Sequence, residues 1–209
     1  MMYTCSECAV KSCTNHGATP YPANCPCRDQ ETTAQAIAKT KEPETFAIAQ
    51  KAAEVEKEGY CQLTRIQEIA LFCKKMGYET IGIAFCTGLQ NECKVVARYF
   101  REQGLTVHTV CCKCSSVNKA DVGIPGMEPD GTFEAMCNPA GQAMFLAKAG
   151  TQLNVVLGLC VGHDTIFLQN TKAPVTVLAV KDRVLGHNPL AAVYTAQSYY
   201  QKKLFPNQK

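Results

Sequence analysis

The chain is 209 residues long, carries a formal net charge of +3 and contains 14 cysteines. That length supports one well-buried domain with a small appendage. Lys and Arg are scattered without a basic stripe, which argues against a nucleic-acid partner, and the apolar runs fall short of the ~20 residues a membrane helix needs.

The first residues, MMYTCSEC, have no charged region followed by an apolar one, so they do not form a secretory signal and a cytoplasmic location is expected. Reducing cytosol disfavours a disulfide framework. Clustering therefore separates cysteines with chemistry from those that pack as small hydrophobes.

In chain order, Cys5, Cys8, Cys13 and His16 are followed by Cys25-Pro-Cys27, in a stretch with almost no apolar periodicity. A segment that cannot build its own core is held most simply by a metal. Residues 1–30 are thus expected to form a small metal knuckle using Cys5, Cys8, Cys13, Cys25 and Cys27, with Zn2+ the first choice and an iron–sulfur cluster the second. Residues 31–209 are expected to form an α/β domain. From Asp29 to about Lys57 the Ala, Glu, Gln and Lys composition favours helix, broken at Pro43 and stopped by Gly59. The next helix, LTRIQEIALFCKKMG, sets Ile66, Ile69, Ala70, Cys73 and Met76 at helical spacing, so Cys73 reads as core.

Thr80 to Phe85 reads as a strand, Leu89 to Gln103 as a helix and Leu105 to Val110 as a second strand, a right-handed βαβ unit. Cys86 then sits at a strand-to-helix turn, where a helix amino terminus stabilises a thiolate. After Cys111, Cys112 and Cys114 comes a long stretch without periodicity, which signals a functional loop. It closes on Cys137-Asn138-Pro139, with Asn as cap and Pro at the first position of the next helix. His187-Asn188-Pro189 repeats this device before the last helix. Leu153 to Leu159 and Pro174 to Val180 read as the third and fourth strands. The third delivers Cys160, His163 and Asp164, and the fourth Asp182 and Arg183.

The expected architecture is three-layered α/β, with a mostly parallel sheet of four or slightly more strands between helices. Its site lies at the carboxyl ends of the strands. Cys86, Cys111, Cys137 and Cys160 are expected to gather there as ligands of zinc or a [4Fe–4S] cluster, with Cys112 or Cys114 as replacements. His163, Asp164, His187 and Asp182 are the candidate catalytic or ligand-tuning groups.

The strings NVVLGLCVGHDTIF, APVTVLAVKDRVLGHNPLAAVY, CQLTRIQEIALFCKKMGYETIGIAFCTGL and MCNPAGQA resemble an uncharacterised prokaryotic family of predicted cysteine-rich metal-binding proteins, a domain of unknown function. The similarity spans most of the chain. It implies metal binding through the first cysteine cluster and through Cys86, Cys111, Cys137 and Cys160, and it implies no particular reaction. Three function classes follow: a redox or metal-dependent enzyme with a redox partner or small-molecule substrate, a metal or cluster carrier or sensor, and a thiol–disulfide protein using the C-x2-C spacing of Cys111 and Cys114.

Overall fold

The computed structural model describes residues 2–15, 17–129 and 131–207; His16 of the first cysteine cluster lies outside them. The chain divides into two compact units, residues 1–58 and 59–209. In the first unit, three short 3-10 turns, Cys5–Glu7, Ser12–Thr14 and Pro26–Arg28, carry most of the cysteines. Two helices follow, α1 (Gln30–Thr40) and α2 (Pro43–Gly59). Asp29 starts α1 by accepting the Thr32 amide at 2.9 Å, while Pro43 opens α2, the position where a missing N–H costs nothing.

The second unit begins with α3 (Arg65–Met76), closed at its start by a Thr64–Gln67 capping box and at its end by Gly77 in the left-handed region. Strand β1 (Thr80–Phe85), helix α4 (Gln90–Glu102) and strand β2 (Thr106–Cys111) form the expected βαβ unit. Helix α5 (Pro139–Lys148), strand β3 (Leu153–Leu159), helix α6 (His163–Asn170) and strand β4 (Val175–Val180) complete the sheet, and two short helices, α7 (Leu190–Tyr194) and α8 (Gln201–Leu204), follow. All pairings are parallel and the order is β2-β1-β3-β4. No described helix is long and apolar enough to cross a membrane.

The central position of β3 explains its sequence. Every residue from Leu153 to Leu159 is buried, as a parallel strand covered on both faces requires. Gly82 of β1 lies against Leu146 of α5, whereas Phe85 lines a cavity with Gln90, Cys93 and Ala97 of α4. Residues 82 and 85 point to opposite faces of a strand, so α4 and α5 cover opposite sides and the architecture is three-layered. Phe100 from α4, Phe167 from α6, Leu146 from α5 and Ile81, Ile83, Val155 and Val156 from the strands are fully buried between these layers. A polar element crosses this core: Asn154 donates to Thr171 and accepts from Thr151, at 2.8 and 2.9 Å. Its side chain occupies the space a Cβ on Gly82 would need, since such an atom would sit 2.4 Å from Asn154 Oδ1.

Candidate functional site

The register of the sheet builds one cysteine-rich rim. Phe85 is opposite Cys111 on β2 and Leu157 on β3, and the ladder continues past the strand ends. Cys112 N donates to Phe85 O at 2.8 Å, Cys86 N to Leu157 O at 3.2 Å, and Lys181 N to Leu159 O at 3.1 Å. Cys86, Cys112, Cys160 and Lys181 therefore all leave the sheet at its carboxyl edge. Cys137 joins them because Asn138 N donates to Cys112 O at 2.7 Å, bringing the start of α5 to the end of β2. The Asn138 cap forms as its sequence predicts, accepting Gly141 N at 2.8 Å.

The thiols on this rim differ in character. Cys86 precedes a 3-10 turn, Thr87–Leu89, that leads into α4. Burial raises its thiol, but the Gly88 amide, the Lys181 ammonium and the Cys112 thiol together outweigh burial, so its pKa lies below the ordinary value. Cys112 is only 3% exposed. Burial is the main reason its thiol is pushed up to about 12, with the charges of Cys137 and Cys86 and a hydrogen bond to Cys137 adding to the rise against the Thr87 amide. That amide donates to Cys112 Sγ at 3.3 Å. On the far side, Arg183 Nη2 donates to Cys160 Sγ at 3.3 Å. The guanidinium is raised by this bond and by the charge of Cys160, with smaller contributions from Cys86 and Cys137. Cys86, Cys112, Cys137 and Cys160 thus form one set, with Lys181 and Arg183 as its cations.

Cys111 and Cys114, the other expected rim ligands, make a second grouping. Cys114 N donates to Cys111 O at 3.2 Å, and burial followed by the charge of Cys111 raises the Cys114 thiol. Parity is the physical reason for the split: successive residues at a strand end point to opposite sides, so Cys112 turns into the core while Cys111 stays half-buried. Cys73 and Cys93 are core thiols, 0% and 3% exposed, and burial pushes each up to about 11.

His163 and Asp164 are the first two residues of α6, and both donate their amides to Cys160 O, at 2.9 and 3.1 Å. Helix α6 therefore starts at His163, and Asp164 Oδ1 accepts Thr165 N at 2.8 Å from within the first turn. Asp182 and His187 close a tight loop around Arg183. Asp182 Oδ1 accepts the Val184 and Leu185 amides, both at 2.9 Å, and Asp182 N donates to His187 Nδ1 at 3.1 Å. His187 adopts φ 68° to do so. The Asn-Pro device is not repeated here: α7 starts at Leu190 with Pro189 at its cap and no side-chain capping bond.

In the first unit, Cys27 is raised first by a hydrogen bond to Cys25, then by burial and by the charges of Cys25, Cys13 and Cys5. These four thiols share one electrostatic neighbourhood. Cys8 accepts the Lys11 amide at 3.5 Å and lines a cavity of about 210 Å³ with Cys5 and Cys25. Among the described residues, no three Cys, His, Asp or Glu side chains stand as a ready coordination sphere in either unit. The donors themselves are soft thiols gathered from separate segments, the chemistry that zinc and iron–sulfur clusters take.

Two residues of the rim carry no cysteine-type signal in the sequence. Lys181 becomes part of the site only once β4 is known to lie beside β3. Gln142 is buried in the apolar face of α5 and donates to Phe85 O at 3.1 Å and Val110 O at 2.7 Å, tying together the ends of β1 and β2. A lone Gln in PAGQAMFLAK is the signal that could have found it.

A family profile described as a protein of unknown function, DUF1847, matches residues 25–178. The chain is also similar to the uncharacterized protein MJ0455 of Methanocaldococcus jannaschii, at 44% identity over 200 residues that cover 96% of this chain and 97% of that relative.

Proposed function

The chain belongs to the DUF1847 family, whose description names no activity, so we propose a function from the rim itself: a cysteine-ligated metal protein with a soft-metal site at the carboxyl edge of the sheet. The observation that carries this reading is the set Cys86, Cys112, Cys137 and Cys160, delivered by four separate segments to one edge with two cations beside it. These four thiols would hold zinc or a [4Fe–4S] cluster, as an alternative to the set with Cys111 or Cys114 that spacing suggests. Zinc would supply Lewis-acid or structural chemistry there, and a cluster one-electron transfer.

The cations suit such a site. Four thiolates around a divalent ion leave about two negative charges, and Lys181 and Arg183 offset them. The Asp182–His187 loop holds Arg183 over Cys160 through backbone bonds. His187 accepts this bond at Nδ1, which leaves the Nε2 N–H as a donor. The thiols of the first unit, Cys5, Cys13, Cys25 and Cys27 with Cys8, would form a second, structural zinc site.

A carrier reading is favoured by one observation: Cys160 is half-buried and Arg183 exposed, so metal held on that side would be open to an acceptor. The test of both readings is anaerobic purification followed by counts of zinc, iron and acid-labile sulfide per chain, for the wild type and for Cys112→Ser and Cys13→Ser. Each variant should lose one site's content and keep the other's. Metal that moves rapidly to a chelator supports the carrier, and retained metal supports a resident cofactor. A wild-type protein without metal, with freely reacting thiols in both units, would sink the metal reading.

A further inference from the structure

The metal reading leaves Cys111 and Cys114 unused, and their arrangement is specific. Cys111, Cys112, Lys113 and Cys114 form a single turn closed by the bond from Cys114 N to Cys111 O at 3.2 Å. Ends of such a turn lie within about 7 Å Cα to Cα, overlapping the roughly 4.4–6.8 Å that a disulfide spans. Two groups that are themselves bonded to each other hold the Cys114 thiol in place. Its thiol donates to Asn138 O at 3.5 Å and is hydrogen-bonded by the Ser115 side chain, and Asn138 Nδ2 in turn bonds Ser115 Oγ at 3.3 Å. Directly after it, Ser115 and Ser116 both adopt left-handed backbone, φ 81° and 49°. Two successive residues with side chains in that region need surrounding structure to hold them. Cys111 and Cys114 are both half-buried and within reach of solvent, whereas Cys112 between them is buried with Cys86 and Cys137.

We propose that Cys111 and Cys114 form a redox-active dithiol, separate in function from the rim thiols, that exchanges with low-molecular-weight disulfides. Cys111 thiolate attacks one sulfur of a disulfide RSSR, breaking its S–S bond and forming a mixed disulfide, and the released RS⁻ takes up a proton. Cys114, whose proton is engaged by Asn138 O, then releases that proton and attacks Cys111 Sγ. The second RS⁻ leaves and is protonated. The pair is oxidised by two electrons to a disulfide, RSSR is reduced to two RSH, and the two thiol protons end on the products.

The test equilibrates the full chain in glutathione buffers of increasing oxidised fraction, quenches with acid, alkylates the remaining thiols and maps the peptides. Trypsin cuts after Lys113, so a disulfide to Cys114 is read as two peptides that stay joined, and fragmentation of the joined pair tells Cys111 from Cys112. The two thiols should be lost together in one transition and regained with dithiothreitol. Cys114→Ser should stop at a glutathione adduct on Cys111. Cys111→Ser and Cys114→Ser should keep the wild-type thermal unfolding and metal content, unlike Cys112→Ser. Independent oxidation of the two thiols, a disulfide that uses Cys112, or a loss of metal in Cys111→Ser equal to that in Cys112→Ser would overturn the assignment. A protein that carries no metal yet forms this disulfide would overturn the metal reading and leave the dithiol standing.

Discussion

Cys86 and Cys112 touch, yet their surroundings pull their acidities apart. Cys86 has an ammonium and an amide on it, while Cys112 has mainly apolar packing. In chelator-treated protein Cys86 should therefore alkylate at a lower pH than Cys112. Removing the cation tests the cause: in Lys181→Met the Cys86 thiol should move up, slowing iodoacetamide labelling at neutral pH by about three- to tenfold, because each unit of pKa is a factor of ten in thiolate. Labelling rates against pH, read by peptide mass, check this; an unchanged profile would mean that the Gly88 amide and the Cys112 thiol set the acidity without Lys181.

The element that most needs its own support is the segment between β2 and α5. Among its described residues no run of secondary structure is longer than the 3-10 turn Ala120–Val122, and several of them are tied together by Glu134. That carboxylate pairs with Lys119 and accepts the Met127 and Glu128 amides at 2.7 and 3.2 Å. The Lys119 bond, then the Met127 amide, hold its pKa down to about 2 against an ordinary 4.5. A depressed carboxyl stabilises the loop fully above its ordinary value, and the contribution is lost as pH falls from 4.5 through about 2. Glu134→Ala should reproduce at neutral pH what acid does to the wild type: the Met127 and Glu128 amides exchange hydrogen severalfold faster, while those of β1 and β3 do not change. Because Met136 N donates to Val117 O and Asn138 N to Cys112 O, the base of this loop is also the frame that holds Cys137 on the rim. Its irregular sequence, VNKADVGIPGMEPDGTFEA, reads as a long loop; that one carboxylate organises it is visible only when the chain is folded.

For the whole molecule, the cost of burying thiols sets the alkaline limit. Cys73 and Cys93 are pushed up to about 11 and Cys112 to about 12, from an ordinary 9.0, chiefly by burial. An unfolded chain releases these protons near pH 9.0 and the folded protein does not, so unfolding releases protons in that range. Stability is complete below about pH 9 and falls as pH rises toward 11 to 12. Thermal unfolding of metal-free protein at pH 8, 9, 10 and 11 should show a steepening decline, and Cys73→Val should make it shallower. An unchanged melting temperature over that range would mean the buried thiols are not the limiting groups.

Much of this fold was legible residue by residue. The mostly apolar LNVVLGL reads as an interior parallel strand, Thr64 and Gly77 bound α3, and Asn138-Pro139 opens α5, because strand burial, caps and turns are decided by neighbours a few positions away. The missing cap at Asn188 differs from that reading, since there backbone bonds within the 182–187 loop outweigh local preference. The thiols follow the same division. Three strands ending in cysteine, and hence a reactive rim, are properties of the sequence alone. Which thiols meet is not: Cys111 and Cys112 are one residue apart and point opposite ways, and only the register of β2 on β1 turns Cys112 toward Cys86 and leaves Cys111 with Cys114. The same holds for Lys181 and Arg183, which reach Cys86 and Cys160 because β4 pairs with β3, a contact between segments that no local pattern encodes.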